Sequence, residues 1–157
     1  MAQVTVNQFG LLDPGINSMT LEEIGELFGR FQQSDRRMRL MGRLQTFAHD
    51  VWQADARIQI LVDGSFVMTK VDEPDDIDVV LILPVDWDYS AQLRPFEYNV
   101  VSKRMVRRLY GFDMLIGIAG EKSSAEAIEF FAQVKARWLR MFGIPAETAK
   151  GLVKIKP

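Results

Sequence analysis

The chain has 157 residues, enough for one domain with a substantial core: 48% of it is hydrophobic and 10% aromatic. Nineteen Lys and Arg against 21 Asp and Glu give a formal charge of -2, which argues against a generic nucleic-acid coat protein. With no Cys and a single His, disulfides, thiolate nucleophiles, Cys-ligated zinc and multi-His metal sites are excluded, and any chemistry falls to carboxylates, hydroxyls, Lys, Arg or Tyr.

Residues 1–19 read as an irregular arm with a turn at Asp13-Pro14-Gly15. The arm's start has neither a basic nor an apolar leader pattern. No apolar run approaches the roughly 20 residues of a membrane span, so a soluble, cytoplasmic protein without membrane contact is expected. Thr20-Leu21-Glu22-Glu23 is a capping box that opens a short helix ending near Gly29. Residues 34–53 predict a longer helix. Its core stripe is Met38, Met41, Leu44, Ala48, Val51 and Trp52, and Arg36, Arg37, Arg39 and Arg43 mostly face away. His49, on the same helix, reads as a packing or surface residue.

Residues 57–63 switch to a strand pattern, followed at once by Gly64-Ser65. The segment 66–75 reads as a helical turn or loop closed by Pro74. Residues 76–83 (DIDVVLIL) form the clearest strand, apolar on both faces beyond its first residues, hence central and covered on both sides. Pro84 stops it. The polar-aromatic loop 85–96 is a candidate lid or wall. Residues 97–110 predict one helix with Tyr98, Val101, Met105 and Leu109 on its stripe. Residues 112–118 predict a third strand. Ser123-Ser124-Ala125-Glu126 is a second capping box for a helix reaching about Phe142, stopped by Gly143 and Pro145, and the tail GLVKIKP predicts a short edge strand. These elements make an α+β fold, a mixed sheet flanked by helices, in one domain: arm 1–19, helices 20–53, core 57–157.

Chemistry concentrates in one stretch. Asp76 and Asp78 stand at i and i+2 on a strand, so both side chains leave the same face. Two carboxylates placed so can converge on a hard divalent cation, and oxygen-only ligands suit Mg²⁺ or Mn²⁺ rather than zinc. Gly64-Ser65 ends the preceding strand, where glycine admits a phosphate close to the backbone and exposed N–H groups with the Ser65 hydroxyl can cradle it. Asp113 lies between Phe112 and Met114 on an apolar strand, costly unless paired with an arginine or metal-bound. Lys103, Arg104, Arg107 and Arg108 crowd one side of the preceding helix. They form either a solvated face or an attractor of a nucleotide or RNA. Phe130, Phe131, Val134, Trp138, Leu139, Met141 and Phe142 spread a wide apolar arc over the helix 124–142, serving as core or, in part, as a contact for a second copy or a partner protein.

The run LVDGSFVMTKVDEPDDIDVVLILP resembles the signature of the nucleotidyltransferase superfamily, the DNA polymerase beta-like fold. That signature is a strand, Gly-Gly or Gly-Ser, a short gap, then Asp-apolar-Asp on the next strand. The layout is most similar to an uncharacterised family of small stand-alone bacterial nucleotidyltransferase-like proteins, which share Pro14-Gly15-Ile16, Leu21-Glu22-Glu23, Gly64-Ser65-Phe66 and the pattern Tyr110-Gly111-Phe112-Asp113.

The resemblance implies transfer of a nucleoside monophosphate from a nucleoside triphosphate to a hydroxyl of a protein, RNA or small molecule, with two Mg²⁺ (or Mn²⁺) ions. Gly64 and Ser65 would hold the triphosphate, Asp76 and Asp78 the metals, and Asp113 would be the third carboxylate, joining the metal and helping take the acceptor's proton. Relatives of this size often belong to toxin–antitoxin or phage-defence modules. Two positions depart from the pattern. Asp63 stands where an apolar residue is usual and either turns away or adds a ligand. Thr69-Lys70 replaces the usual Arg, leaving Lys70 as a point charge for phosphate or a solvated loop residue. A non-catalytic binding module on the same fold is the main alternative. A sugar transferase using D-x-D with Mn²⁺ is a third possibility, opposed by the Gly-Ser spacing.

Overall fold

In the computed structural model, which describes residues 4–30, 32–88 and 90–157, the apolar run after the aspartates forms the middle of a sheet. Strand β3 (Asp78–Leu83) pairs antiparallel with β2 (Gln59–Asp63) and parallel with β4 (Asp113–Ile118). Beyond β2 lie β5 (Leu152–Lys156) and β1 (Ile16–Thr20), giving the order β1-β5-β2-β3-β4. Strand β5 runs antiparallel to β2 and parallel to β1, so the sheet is mixed. Six helices among the described residues complete the α+β fold.

The alternation of side chains divides the sheet's apolar residues between two layers. Ile60, Val62, Val79, Leu81 and Met114 face α1 (Leu21–Phe28), α2 (Arg36–Ala54) and α4 (Lys103–Tyr110), packing with Phe28, Leu44, Phe47, Val51 and Val106. Leu61, Val80 and Ile82 face the other way, against Ala127 of α5 (Lys122–Phe131). The expectation that the 76–83 strand is covered on both sides therefore holds. A third cluster closes one end of the molecule, where Trp138 of α6 (Ala136–Phe142) meets Leu11, Met68, Val71 and Val134.

The first capping box is as expected. Thr20 Oγ1 accepts from the Glu23 N–H at 3.1 Å, Glu23 Oε1 accepts from the Thr20 N–H at 3.1 Å, and Gly29 caps the other end. Several other expectations need correction. The arm 1–19 is not irregular throughout: Leu11 and Leu12 are buried, and residues 16–20 form the edge strand β1. Residues 1–3 of that arm, and Tyr89 of the loop 85–96, lie outside the described residues.

The tail strand β5 is not at an edge, because β1 covers it. The single helix expected over 97–110 is two, α3 (Pro95–Val101) and α4. Ser102 is extended between them, ending one and capping the other by accepting from the Met105 N–H. That break rotates the stripe, so Tyr98 and Leu109 are exposed while Val100, Val106 and Tyr110 are buried.

The second capping box does not form. Helix α5 starts earlier, with Glu121 as N-cap, and Ser123 Oγ instead accepts from the Ile118 N–H. The expected helix to Phe142 breaks at 132–135 into α5 and α6, where Gln133 bridges to Ala149. Gly143, left-handed, ends α6 as anticipated.

Candidate metal and phosphate site

The register across three strands builds the site. Asp63 pairs with Asp78, and Asp78 with Asp113, a row of carboxylates that all leave the α5 face of the sheet. Asp76 precedes β3 rather than lying within it, a correction to the expected strand 76–83. It still reaches the same place: one oxygen from each of Asp76, Asp78 and Asp113 lies within 4.8 Å of the others. All three are hard oxygen donors, a set that fits Mg²⁺ or Mn²⁺.

Gly64 turns the chain sharply after β2, with φ +88°, followed by a 3₁₀ turn at Ser65–Val67. Gly64, Ser65, Asp78 and Asp113 line one cleft of ≈ 420 Å³, together with Lys135 and Lys150 and an apolar wall that includes Phe131, Val134 and Trp138. Most of the apolar arc expected to serve as core or contact thus faces this cleft and the α6 cluster; Phe130 and Met141 stay largely exposed.

Burial, then the neighbouring Asp76, pushes the Asp78 carboxyl up to about 6, while Lys135 and Lys150 pull it back. Arg107 of the basic cluster is the member that reaches the site. Its Nη1 donates to Asp76 Oδ2 at 2.8 Å and to Asp113 Oδ1 at 3.1 Å. Those carboxylates, Asp76 first, raise the Arg107 guanidinium above its ordinary range.

Two arginines expected to face away from the helix-α2 core position the loop between the Gly-Ser corner and the aspartates. Arg37 is 1% exposed. Its guanidinium donates to the carbonyls of Phe28 (3.0 Å), Phe66 (2.6 Å), Met68 (2.7 Å) and Val71 (2.6 and 3.2 Å). Arg36 donates to the carbonyls of Pro74 and Asp75. A signal was present for Arg37: it shares the helical stripe of Met41, Leu44, Ala48 and Val51, whereas Met38, placed on that stripe by its hydrophobicity, is exposed.

Lys70 does not join the site. It is exposed and packs over Gly10 at the arm. The cations at the cleft are Lys135 and Lys150, for which the isolated sequence offers no distinguishing pattern. Asp63 neither turns out to solvent nor joins the three-carboxylate group. It is fully buried beside Lys150, whose Nζ lies 3.2 Å from Oδ1. The loop 85–96 is no lid here: it leaves the far end of β3 and lines a separate small cavity with Leu83 and Ile116. His49 is an exposed surface residue beside another cleft, with Asp50 and Tyr110.

Fold and site define an open-sheet α+β domain with three carboxylates gathered beside a glycine corner. The chain belongs to DUF6932, a family of unknown function, whose model matches residues 4–156. No curated protein and no solved structure matches it. Among the described residues no helix is long and apolar enough to cross a membrane.

Proposed function

We propose that this chain is a metal-dependent nucleotidyltransferase that moves a nucleoside monophosphate from a nucleoside triphosphate to a hydroxyl of a protein, RNA or small-molecule acceptor in the cytoplasm. One observation carries the reading. Three carboxylates from two segments, Asp76 and Asp78 leading into β3 and Asp113 at the start of β4, converge within 4.8 Å beside the positive-φ Gly64 corner, at a cleft large enough for a small ligand. When bound, two Mg²⁺ or Mn²⁺ ions would neutralise triphosphate charge and lower the pKa of the acceptor hydroxyl.

The chain's own residues supply the rest. Asp76, Asp78 and Asp113 hold the cations. The Ser65 hydroxyl and the backbone N–H groups of the corner donate to phosphate oxygens. The acceptor oxygen bonds to the α-phosphorus, the bond to pyrophosphate breaks, and the hydroxyl proton passes to the Asp113 carboxylate, which at 61% side-chain exposure is open to an incoming acceptor.

Incubation with α-labelled nucleoside triphosphates, Mg²⁺ and a bacterial lysate tests this. Label should enter a macromolecule or small molecule, and the Asp76→Ala, Asp78→Ala double variant should abolish it. Transfer that survives the double change refutes the assignment.

A second reading, a non-catalytic binding module of a toxin–antitoxin or defence complex, is favoured by Arg107. Its guanidinium already neutralises two of the three carboxylates. That reading expects no Mg²⁺-dependent nucleotide affinity by calorimetry. Contact with a second copy or a partner protein through residues 124–142 would use the exposed Phe130 and Met141.

A further inference from the structure

Asp63 raises a physical question. A carboxylate next to the Gly64 corner would repel phosphate, yet it is 0% exposed and therefore desolvated at a cost. Its cationic partner is Lys150, itself only 5% exposed. Neither oxygen of Asp63 receives a well-aligned hydrogen bond from a described residue, so the contact is one of charge on charge wherever the Asp63 carboxyl is ionised. A pair so buried is a poor way to gain stability, since apolar residues of the same volume do as well or better.

The placement of Lys150 suggests another use. Lys150 lines the same cleft as Gly64, Ser65, Asp78 and Asp113, and its charge acts on the Asp78 carboxyl there. An ammonium has three N–H donors, and only Asp63 is an ion-pair partner for it among the described residues. The backbone around it is held from two sides. The Lys150 N–H donates to the Ala132 carbonyl, the Gly151 N–H to Leu12 and the Leu152 N–H to Gly15. Gly151 admits no side chain, because a β-carbon there would stand 1.9 Å from the Asp13 carbonyl oxygen. The break between α5 and α6 and the arm before β1 thus serve to fix one lysine at the cleft.

We infer that Lys150 is a polyphosphate-binding cation of the cleft, and that Asp63 is a positioning residue that acts through it rather than a metal ligand. The inference rests on reading the cleft as a triphosphate site. It assigns to Lys150 the role expected of Lys70, and it explains how a carboxylate can precede the glycine corner: its charge faces the Lys150 ammonium, 3.2 Å away.

Calorimetry with Mg²⁺–tripolyphosphate and, separately, Mg²⁺–ATP tests it. Lys150→Met alone leaves Asp63 buried without a counter-ion and risks unfolding, so the informative variant is Lys150→Met with Asp63→Asn, which removes both charges at nearly constant volume. That variant should bind tripolyphosphate about tenfold more weakly or worse, while its Mn²⁺ affinity without polyphosphate is no weaker than wild type. Lys150→Arg should restore binding to within a few-fold. Asp63→Asn alone should give an intermediate loss that does not add to that of Lys150→Met.

A folded double variant that binds tripolyphosphate as tightly as wild type overturns the assignment of Lys150 while leaving the transferase reading intact. Tripolyphosphate binding that depends on Lys150, in a protein that shows no label transfer from any nucleotide, supports the anion site and sinks the transferase reading. A wild-type chain that binds neither ligand overturns both.

Discussion

The Oδ2 atom of Asp78 lies 2.9 Å from the point where a β-carbon on Gly64 would stand. The glycine after β2 and the aspartate at the start of β3 are thus in contact across the antiparallel pair. Gly64 is bound to its identity twice, by that contact and by its φ of +88°. Gly64→Ala must either push the Asp78 carboxylate aside or move the corner. It should lower stability by about 1–3 kcal/mol and weaken Mn²⁺ binding several-fold, read by urea unfolding and by Mn²⁺ titration. An alanine variant with wild-type stability and affinity would show that the corner and the carboxylate are not coupled.

Arg107 and a cation compete for the same oxygens. The guanidinium reaches Asp76 at 2.8 Å and Asp113 at 3.1 Å, but it is largely solvent-exposed, so the pairs are screened and weak. Arg107→Ala should bind Mn²⁺ a few-fold more tightly than wild type in the absence of nucleotide. Its unfolding midpoint should stay unchanged, and the difference in affinity should shrink as salt is raised. Weaker Mn²⁺ binding in this variant would mean that the arginine organises the carboxylates instead of competing for them.

The carboxylates repel one another when no cation is bound. Burial and Asp76 together hold the Asp78 carboxyl at about 6. Asp78→Asn removes a charge that the fold disfavours. In EDTA this variant should melt higher by a few degrees, on the order of 2–4 °C per kcal/mol for a chain of this size, and it should lose Mn²⁺ affinity altogether. Destabilisation would instead indicate that the ionised Asp78 is held by contacts that outweigh the repulsion.

Much of this architecture could be read from residues alone, for identifiable reasons. The Thr20 box and the DVVLIL strand are local signals, in which propensity and periodicity agree with tertiary packing. The carboxylate group could be anticipated because two of its members are two residues apart and the third heads a neighbouring apolar strand, although Asp113, at 61% side-chain exposure, is not the costly buried charge that Phe112 and Met114 suggest. What stayed hidden depends on partners distant in sequence. The tail strand β5 reads as an edge because β1, which covers it, has only five residues and carries little alternation of its own. Ser102 split a helix whose apolar spacing looked continuous. Lys150 and Asp63 are 87 positions apart, and the burial that gives their pairing meaning comes from the sheet and from the arm. Arg37 breaks the rule that charge marks exposure: its helical position puts it in the core.

That buried guanidinium links helix to site. Arg37 satisfies the carbonyls of Phe28, Phe66, Met68 and Val71, closing the loop that separates Gly64-Ser65 from the aspartates, and burial lowers its own pKa to about 10. It remains charged at neutral pH. Arg37→Met strips four buried carbonyls of a donor and should cost about 3–5 kcal/mol. Arg37→Lys should recover little, since an ammonium lacks the planar five-donor fork that spans them. Urea denaturation of both variants measures this, and a lysine variant close to wild type would contradict it.

Asp63 makes the pH dependence of stability run against the usual direction. Burial lifts its carboxyl from an ordinary 3.8 to about 7 in the folded chain, against the pull of Lys150. Between those two values the folded state holds a proton that the unfolded chain has released, so stability falls as pH rises from about 4 to 7. Carboxylates with lowered values, such as Asp55 beside Arg57 and Glu97 beside Arg94, lose their contribution only at lower pH and do not offset this window. In EDTA, the urea midpoint should therefore be higher at pH 5 than at pH 8. Asp63→Asn should flatten that difference in proportion to Asp63's share of it. A midpoint that rises between pH 5 and pH 8, alike in wild type and Asp63→Asn, would show that the Lys150 ion pair prevails over desolvation and keeps Asp63 ionised throughout.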